Sequence, residues 1–360
     1  MTLNFKSKKT YIIAEAGINH NGNMNLARKL VLAAKKAGAD AVKFQTFTTS
    51  SVVTKFAEQA PYQIKNMKKK EKQFDMLKKY ELINKDFFAL KAYCQKIKID
   101  FISSVFDEHG VSFLLNKIGS KVIKLPSGEI NNLLILKKLK LSNYKILIST
   151  GMSNYQDIIN AINTIAKKQI YKLRNQKPLI INKEHFKKVK KNICIMHCVT
   201  DYPVSKDQAN LKCIDNIKND FNLITGYSDH TLGILAATIA VTKGATVIEK
   251  HLTLNKKMQG PDHLASLEPK EFLRMVENIR EFELMNGNGE KKLQECEIRN
   301  LKVARKSIIA KIAINKNEIF TFKNLTVKRP GTGLNPFMIE KLINKKSKKK
   351  YYADQIIEKQ

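Results

Sequence analysis

The chain has 360 residues, 43% of them hydrophobic, which is enough for one large domain with a small second one. It contains no apolar run of about 18 residues and starts with a polar, basic segment, Met1–Thr10, which argues against a membrane span and a signal peptide. The net charge of +33 comes from lysines spread along the chain without a nucleic-acid-binding motif, and the five cysteines are scattered. We therefore expect a cytoplasmic protein with reduced thiols that binds neither nucleic acid nor membrane, and whose positive field helps to gather an anionic substrate.

Short β-prone runs alternate with amphipathic helical stretches along most of the chain. Stretches such as Met24–Ala37 and Leu232–Thr242 place apolar residues at helical spacing. Eight strand–helix units in roughly 280 residues match the size of a closed (β/α)8 barrel, whereas a doubly wound sheet is the alternative and lacks a GxGxxG after its first strand. The predicted strands are Tyr11–Ala14, Ala41–Phe44, Asp100–Ile102, Lys121–Lys124, Lys145–Ile148, Asn192–Met196, Asn222–Thr225 and Thr246–Ile248.

The pattern changes at the turn-rich break Gly287-Asn288-Gly289, after which a charged, helix-like segment continues to Arg305. Short β-prone runs then follow at Ser307–Ala310, Ile319–Phe320 and Leu325–Val327. The basic stretch Lys167–Lys191 is predicted to be a weakly patterned surface insertion between a helix and a strand. We predict a barrel domain over residues 1–285, a linker over 286–306 and a small domain over 307–360.

Ionisable, hydroxyl and glycine residues follow every predicted strand, where a barrel has its catalytic face. Glu15 comes directly after an apolar strand, and a buried carboxylate there needs a functional reason. Lys43 and Lys124 also end apolar strands, which favours binding of a phosphate or carboxylate group. Hydroxyls that either cap helices or bind phosphate follow other strands, at Ser127, Ser149 and Ser228.

Two histidines end neighbouring strands of the predicted barrel. His230 follows the seventh strand and His251 the eighth, so the barrel brings them close together unless they are unrelated loop residues. Two neutral imidazoles that face one cavity suit a divalent transition-metal ion with open positions for water and substrate. The carboxylate of Asp262 is placed to complete the metal site or to act as a base.

Together these segments resemble the bacterial sialic acid synthase family, which includes N-acetylneuraminate, legionaminate and pseudaminate synthases. The tail from Arg305-Lys306-Ser307 to Arg329-Pro330-Gly331-Thr332-Gly333 resembles the C-terminal antifreeze-like (SAF) domain of that family. The resemblance implies a (β/α)8 TIM barrel followed by a small SAF β-clip domain. The barrel segments that carry it are Glu15–Gly22, Lys43–Gln45, Lys124–Glu129, Ser149–Met152, His197–Pro203, Gly226–Thr231, Glu249–His251 and Gly260–His263.

The resemblance implies a transferase that condenses phosphoenolpyruvate with the open-chain aldehyde of an N-acetylated hexosamine and water, giving a nine-carbon α-keto acid and phosphate. It implies a divalent metal at His230 and His251, manganese with magnesium or cobalt as alternatives, and a domain-swapped homodimer in which Arg329 reaches the neighbouring active site. The residues implied to hold phosphoenolpyruvate are Lys43, Lys124, Ser127, Ser149, Thr200 and Ser228. Those implied to face the sugar are Gln45, Tyr62, Glu129, Tyr202 and Arg329, and the candidate acids and bases are Glu15, Glu129 and Asp262.

The identity of the sugar is the open point of this interpretation. The segment Ala60-Pro61-Tyr62-Gln63 resembles both N-acetylneuraminate and legionaminate synthases. We expect N-acetylmannosamine as substrate, which makes the product N-acetylneuraminate for a cell-surface polysaccharide, with a 2,4-diacetamido-hexose and N,N'-diacetyllegionaminate as the alternative. Two rivals from other classes are an aldolase that forms a Schiff base through Lys43 or Lys124 and a non-catalytic carbohydrate-binding SAF protein.

Some positions depart from the family pattern. Ser104-Val105 replaces the usual Thr-Pro, Leu252 and Asn255 replace the commoner Phe and Asp, and Asn317 stands where the small domain usually has Gly. These positions affect local geometry and leave the implied metal and phosphate groups in place.

Overall fold

The computed structural model describes residues 3–5, 7 and 9–359, and the chain divides into two compact units, Met1–Asn286 and Gly287–Gln360. Among the described helices, none is long and apolar enough to cross a bilayer.

Eight strands of the first unit close into a parallel barrel in the order β1-β10-β9-β8-β5-β4-β3-β2, which confirms the predicted (β/α)8 TIM barrel. The other strands form two antiparallel pairs, β6 with β7 and β11 with β12. The strands are β1 (Tyr11–Gly17), β2 (Ala41–Thr46), β3 (Asp100–Val105), β4 (Val122–Leu125), β5 (Lys145–Ser149), β6 (Tyr171–Arg174), β7 (Lys177–Ile180), β8 (Ile193–Cys198), β9 (Ile224–Asp229), β10 (Val247–His251), β11 (Ser307–Ala310) and β12 (Leu325–Lys328).

Helices separate the barrel strands and pack around them. Asparagine side chains cap two of these helices: Asn23 accepts from the amides of Asn25 and Leu26, and Asn154 accepts from those of Gln156 and Asp157. The helices are α1 (Met24–Lys36), α2 (Thr49–Val52), α3 (Pro61–Met67), α4 (Gln73–Lys78), α5 (Asn84–Ile97), α6 (Glu108–Ser112), α7 (Leu133–Lys138), α8 (Tyr155–Ala166), α9 (Lys183–Asn192), α10 (Lys212–Phe221), α11 (Leu235–Thr242), α12 (Pro269–Asn286), α13 (Ile298–Ala304) and α14 (Ile339–Leu342). A π-helical turn, Phe113–Ile118, follows α6.

The barrel strands extend further toward their carboxyl ends than the sequence predicts. β1 continues to Gly17, β9 to Asp229 and β10 to His251, because their last residues still pair with the neighbouring strand of the barrel. Several residues predicted to follow a strand are therefore the last residues of that strand.

The stretch Lys167–Lys191 lies between a helix and a strand, as predicted, but it has more regular structure than its weak pattern indicates, because it contains a hairpin and most of α9. β6 and β7 are joined by Asn175 and Gln176, whose φ angles of 47° and 61° are those of a two-residue type I′ turn. The hydroxyl of Tyr171 donates to the Phe221 carbonyl at 2.7 Å, which anchors the hairpin to the end of α10. The strands are only four residues long, so their periodicity is lost among the lysines.

An apolar cluster fills the amino-terminal half of the barrel interior and forms the floor of the space above it. Its buried members are Leu3, Tyr11, Ile13, Ala41, Ile102, Val122, Leu147, Cys194, Met196 and Val247. A larger apolar layer between the barrel and its helices encloses the strands from outside. Because both layers are close-packed, the strand ends above the floor are held on a rigid frame.

The second unit has its own small core around the β11–β12 pair. Ile308, Phe320, Leu325 and Tyr351 are buried there. Asn317 has a φ of 67°, a left-handed conformation that asparagine tolerates better than most residues, so it stands where glycine is usual without a gross clash. The assignment of this unit as an SAF domain stays a prediction.

Candidate active site

The inward-facing side chains of the barrel strands are apolar in the first part of each strand and polar near its carboxyl end. Side chains on a strand alternate between its two faces, so residues two apart point the same way. In β1, for example, Ile13 lies in the floor cluster and Glu15 lines the space above it, and in β4 Val122 is followed by Lys124. The barrel interior therefore consists of an apolar floor with a ring of polar side chains above it.

This ring bounds a cavity of about 370 Å³ at the carboxyl ends of the strands. The structure brings together here every site residue predicted in the barrel: Glu15, Lys43, Gln45, Tyr62, Lys124, Ser127, Glu129, Ser149, Thr200, Tyr202, Ser228, His230, His251 and Asp262. The remaining predicted residue, Arg329, lies in the second unit, where its Nε donates to the Ala304 carbonyl at 2.9 Å.

Two lysines and two glutamates form a buried cluster at the base of the cavity. Lys43 Nζ lies 2.9 Å from Glu15 Oε2 and donates to Ser104 Oγ at 2.8 Å. Burial alone lowers the pKa of Lys43, but the carboxylates of Glu15 and Glu249 outweigh it and raise that pKa above its usual range. A protonated Lys43 suits binding of an anion and is a poor nucleophile for a Schiff base.

Glu249 completes the cluster and was not predicted as a site residue. Its two oxygens accept from Lys124 Nζ at 2.8 and 2.9 Å, and Oε1 also accepts from Ser228 Oγ at 2.9 Å. Burial alone raises the pKa of Glu249, but Lys124 and Lys43 hold it at about 2. The signal in the sequence was the spacing of Glu249 and His251, which are two residues apart and so share one face of β10.

Hydroxyl groups line the cavity on the side of β4, β5 and β8. Ser127 Oγ accepts from the Gly151 amide at 3.0 Å. Among the described residues, Ser149 Oγ and Thr200 Oγ1 are buried without a hydrogen-bond partner. Buried polar groups are normally satisfied, so these hydroxyls are free to bind an oxygen-rich ligand such as phosphate.

The two predicted histidines lie side by side in the cavity, with ring centroids 5.6 Å apart and ring planes inclined at 67°. His230 Nδ1 donates to the Val199 carbonyl at 2.7 Å, which leaves Nε2 as the acceptor nitrogen, 3.5 Å from Ser228 Oγ. His251 Nδ1 is buried without a hydrogen-bond partner in the part of the chain that the structure describes, and it lies 3.9 Å from Asp262 Oδ2. Burial and then the neighbouring His230 lower the pKa of His251 well below its usual value, so its ring is neutral.

This donor set fits a divalent cation held by two imidazoles. Over residues 3–5, 7 and 9–359, no group of three or more His, Cys, Asp and Glu side chains gathers as a metal site. A cation here would therefore take its other ligands from water or substrate oxygens, as open catalytic sites do. The orphaned His251 nitrogen is the observation that favours such an ion.

Aromatic rings form the wall beside the histidines. The Tyr202 ring lies 4.1 Å from that of His230 and 4.8 Å from that of Tyr62, measured between centroids. Asn66, on α3, donates to the Tyr202 and Pro261 carbonyls and so ties together the loops that carry Tyr202 and Asp262. No sequence motif indicated this role for Asn66.

The three predicted acid–base carboxyls all have raised pKa values. Burial raises the pKa of Asp262 to about 7, with a further contribution from Glu15. Burial also raises the pKa of Glu15, partly offset by Lys43, and that of Glu129, partly offset by a hydrogen bond from Asn132. With a pKa of about 7, the carboxyl of Asp262 can exchange protons at physiological pH.

Comparisons with known proteins agree with this geometry. The chain is 43% identical to N,N'-diacetyllegionaminic acid synthase of Campylobacter jejuni over 97% of this chain and 99% of that one. It is 40% identical to the Legionella pneumophila protein of the same name over 94% and 90% of the two chains. A crystal structure of N-acetylneuraminic acid (sialic acid) synthetase from Leptospira borgpetersenii in complex with citrate superposes with a TM-score of 0.66, at 29% identity, over 84% of this chain and 94% of that one.

The NeuB family domain matches residues 30–291, which contain most of the barrel and most of the cavity residues. With relatives of this similarity over nearly its whole length, the chain belongs to the NeuB family and is an enzyme of the sialic acid synthase type.

Proposed function

We propose that the chain is an N,N'-diacetyllegionaminic acid synthase, which joins phosphoenolpyruvate to a 2,4-diacetamido-hexose and releases phosphate. The relatives at 43% and 40% identity carry that name, whereas the named sialic acid synthetase structure is 29% identical. The two more similar relatives favour the 2,4-diacetamido-hexose, which the sequence analysis gave as the alternative, over N-acetylmannosamine. The observation that carries the proposal is the single cavity that joins a lysine–hydroxyl pocket to the histidine pair.

One side of the cavity supports a substrate with two acetamido groups. Apolar side chains line this part, most of them from one apolar cluster, whereas a hydroxyl-rich sugar needs polar partners there. Acetamido methyl groups can pack on such a surface while their amides bond to the polar rim. The apolar lining residues are Ile18, Val52, Val53, Leu77 and Phe106.

In this proposal Lys43 and Lys124 neutralise the carboxylate and phosphate of phosphoenolpyruvate, and Ser127, Ser149, Ser228 and Thr200 hold its phosphate oxygens. The methylene carbon of phosphoenolpyruvate forms a bond to the sugar aldehyde carbon, water adds to the donor carbon that bears the phosphate, and that carbon–oxygen bond breaks. Holding two substrates in one orientation supplies much of the rate. Gln45, Tyr62, Glu129 and Tyr202 face the acceptor sugar.

His230 and His251 would hold the divalent ion of this proposal, manganese with magnesium or cobalt as alternatives. When bound, such an ion would supply Lewis-acid polarisation of the sugar carbonyl. Asp262 and Glu15 exchange the protons of the attacking water and the new hydroxyl, since burial raises the pKa of both carboxyls. The domain-swapped homodimer, Arg329 of the neighbouring subunit and the cytoplasmic location stay predictions.

The test is phosphate release from phosphoenolpyruvate with 2,4-diacetamido-hexose or N-acetylmannosamine, with and without manganese. We expect a kcat/KM at least about tenfold higher for the diacetamido sugar, a difference of about 1.4 kcal/mol in transition-state stabilisation. His251→Ala is expected to abolish turnover and keep the fold, because its Nδ1 has no protein partner to lose within the described chain.

A preference for N-acetylmannosamine would make the chain an N-acetylneuraminate synthase. Turnover that resists chelation and is trapped by borohydride would favour the Schiff-base aldolase. No phosphate release with either sugar would remove the synthase proposal and leave a non-catalytic carbohydrate-binding protein.

A further inference from the structure

A fully buried ion pair lies beside the histidine pair and outside the cavity. Lys250 Nζ is 2.8 Å from Asp229 Oδ2, and both side chains are 0% exposed. Because side chains alternate along a strand, Asp229 and Lys250 point away from the cavity that His230 and His251 line. The proposed chemistry gives neither residue a role.

The pair occupies the last paired position between β9 and β10. Lys250 lies directly opposite Asp229 in the parallel register, and the next residue in the chain after each of them is a histidine. Asp229 Oδ1 accepts from the amide and the hydroxyl of Thr231, each at 2.8 Å, and Lys250 Nζ donates to the Thr231 carbonyl. The residues on both sides of His230 are thus tied to the residue that precedes His251, Asp229 through its side chain and Thr231 through its carbonyl.

Stability alone does not account for buried charges at this position. Removing two charges from water is costly, and an apolar pair of similar volume is often as stable as a buried ion pair. An ion pair with these hydrogen bonds adds direction, which an apolar pair does not supply. Here these directional bonds fix the orientation of the two strand ends that carry the imidazoles.

We propose that Asp229 and Lys250 are positioning residues that fix the spacing of His230 and His251 and thereby set the affinity of the site for a divalent cation. The inference rests on the proposed function, in which the two histidines hold that ion. Partners that orient metal ligands typically change metal affinity by about 10- to 100-fold when they are mutated.

The test measures manganese binding to the whole chain by the loss of the free-ion electron paramagnetic resonance signal, without substrate. Lys250→Met and Asp229→Asn are each expected to raise the manganese Kd about tenfold or more. Saturating manganese is expected to restore most of kcat, which a general loss of folding would not allow. Arg280→Met is the control, because it breaks the Asp40–Arg280 ion pair of 2.9 Å, whose residues do not line the cavity. The manganese Kd of this variant is expected to stay within about twofold of the wild-type value.

The double variant Asp229→Leu/Lys250→Met separates positioning from stability. The apolar pair is expected to restore the melting temperature that the single variants lose. Manganese binding is expected to stay weak, since the bonds to Thr231 are gone. A wild-type manganese Kd in the double variant, or in either folded single variant, would overturn the positioning role. Wild-type protein that binds no manganese would instead overturn the metal part of the proposed function.

Discussion

Both carboxylate oxygens of Glu249 bond to the ammonium group of Lys124, at 2.8 and 2.9 Å, at the base of the cavity. With Glu15 beside Lys43, the cluster pairs two lysines with two carboxyl groups. The ligand-free site therefore carries its own counter-charges, and a phosphate or carboxylate that enters must compete with Glu249 for the lysines.

Glu249→Gln is expected to destabilise the ligand-free protein, because it removes the counter-charge of two buried lysines. Breaking a buried ion pair costs about 3–5 kcal/mol, and the retained amide hydrogen bonds place this variant near the lower end. Phosphoenolpyruvate is expected to raise its melting temperature more than that of wild type, since the ligand replaces the lost charge. Glu283→Gln is the control, because Glu283 bonds to Arg280 and does not line the cavity. An equal rise in melting temperature with phosphoenolpyruvate in all three proteins would contradict this account.

Gly151→Ala is expected to weaken phosphoenolpyruvate binding. A Cβ at this position would lie 2.1 Å from Thr200 Oγ1 and 2.8 Å from Ser127 Oγ, so both hydroxyls must move. We expect the KM for phosphoenolpyruvate to rise about tenfold or more, corresponding to about 1.4 kcal/mol, while the KM for the sugar changes little. Gly128→Ala is the comparison variant, because it adds a methyl group to the same cavity lining but its Cβ would meet no atom within 4 Å, so both hydroxyls stay in place. An unchanged KM in a folded Gly151→Ala protein would remove these hydroxyls from the donor site.

Glu129→Gln is expected to stabilise the fold at neutral and alkaline pH and to lower activity. Burial raises the pKa of Glu129, so the folded protein holds this proton more tightly than the unfolded chain does. The stability contribution of the group is full below the ordinary carboxyl pKa of about 4.3 and is lost as pH rises through the folded pKa. Urea midpoints should therefore favour the variant at about pH 8 and converge with wild type at about pH 4.

The control for this series is Glu290→Gln, at a side chain that is 62% exposed, which removes one negative charge without changing a buried group. A stability gain for Glu129→Gln that is the same at both pH values would contradict the burial argument.

Tyr62→Ala is expected to raise the KM for the sugar about tenfold, whereas Tyr62→Phe stays within about threefold of wild type. The Tyr62 ring supports Tyr202, which lies against His230, and phenylalanine keeps that aromatic contact. Steady-state kinetics with both substrates tests this, with the KM for phosphoenolpyruvate as internal reference. A larger loss in Tyr62→Phe than expected would assign the role to the hydroxyl.

The barrel and the barrel part of the site were predictable because each depends on local pattern. A polar residue after an apolar run places Glu15, Lys43 and Lys124 at strand ends, and parallel closure of the barrel brings those ends together. His230 and His251 meet for the same reason.

Contacts between distant segments were not predictable in this way. Asn66 donates hydrogen bonds to the carbonyls of residues 202 and 261. No sequence motif links Asn66 to those two positions. The role of Glu249 depends on a lysine from another strand across the barrel, and the Asp229–Lys250 pair depends on register, which no single strand specifies.

The β6–β7 hairpin offers a place to attach a reporter to this enzyme. Its tip, Asn175-Gln176, is exposed, and its base is fixed by the Tyr171 hydroxyl on the end of α10. In a barrel of alternating strands and helices, the helices run back from the mouth, so a segment that follows α8 emerges at the opposite end. A cysteine-linked fluorophore or affinity tag at this turn would leave the catalytic mouth clear, which allows immobilised or single-molecule assays of the working enzyme.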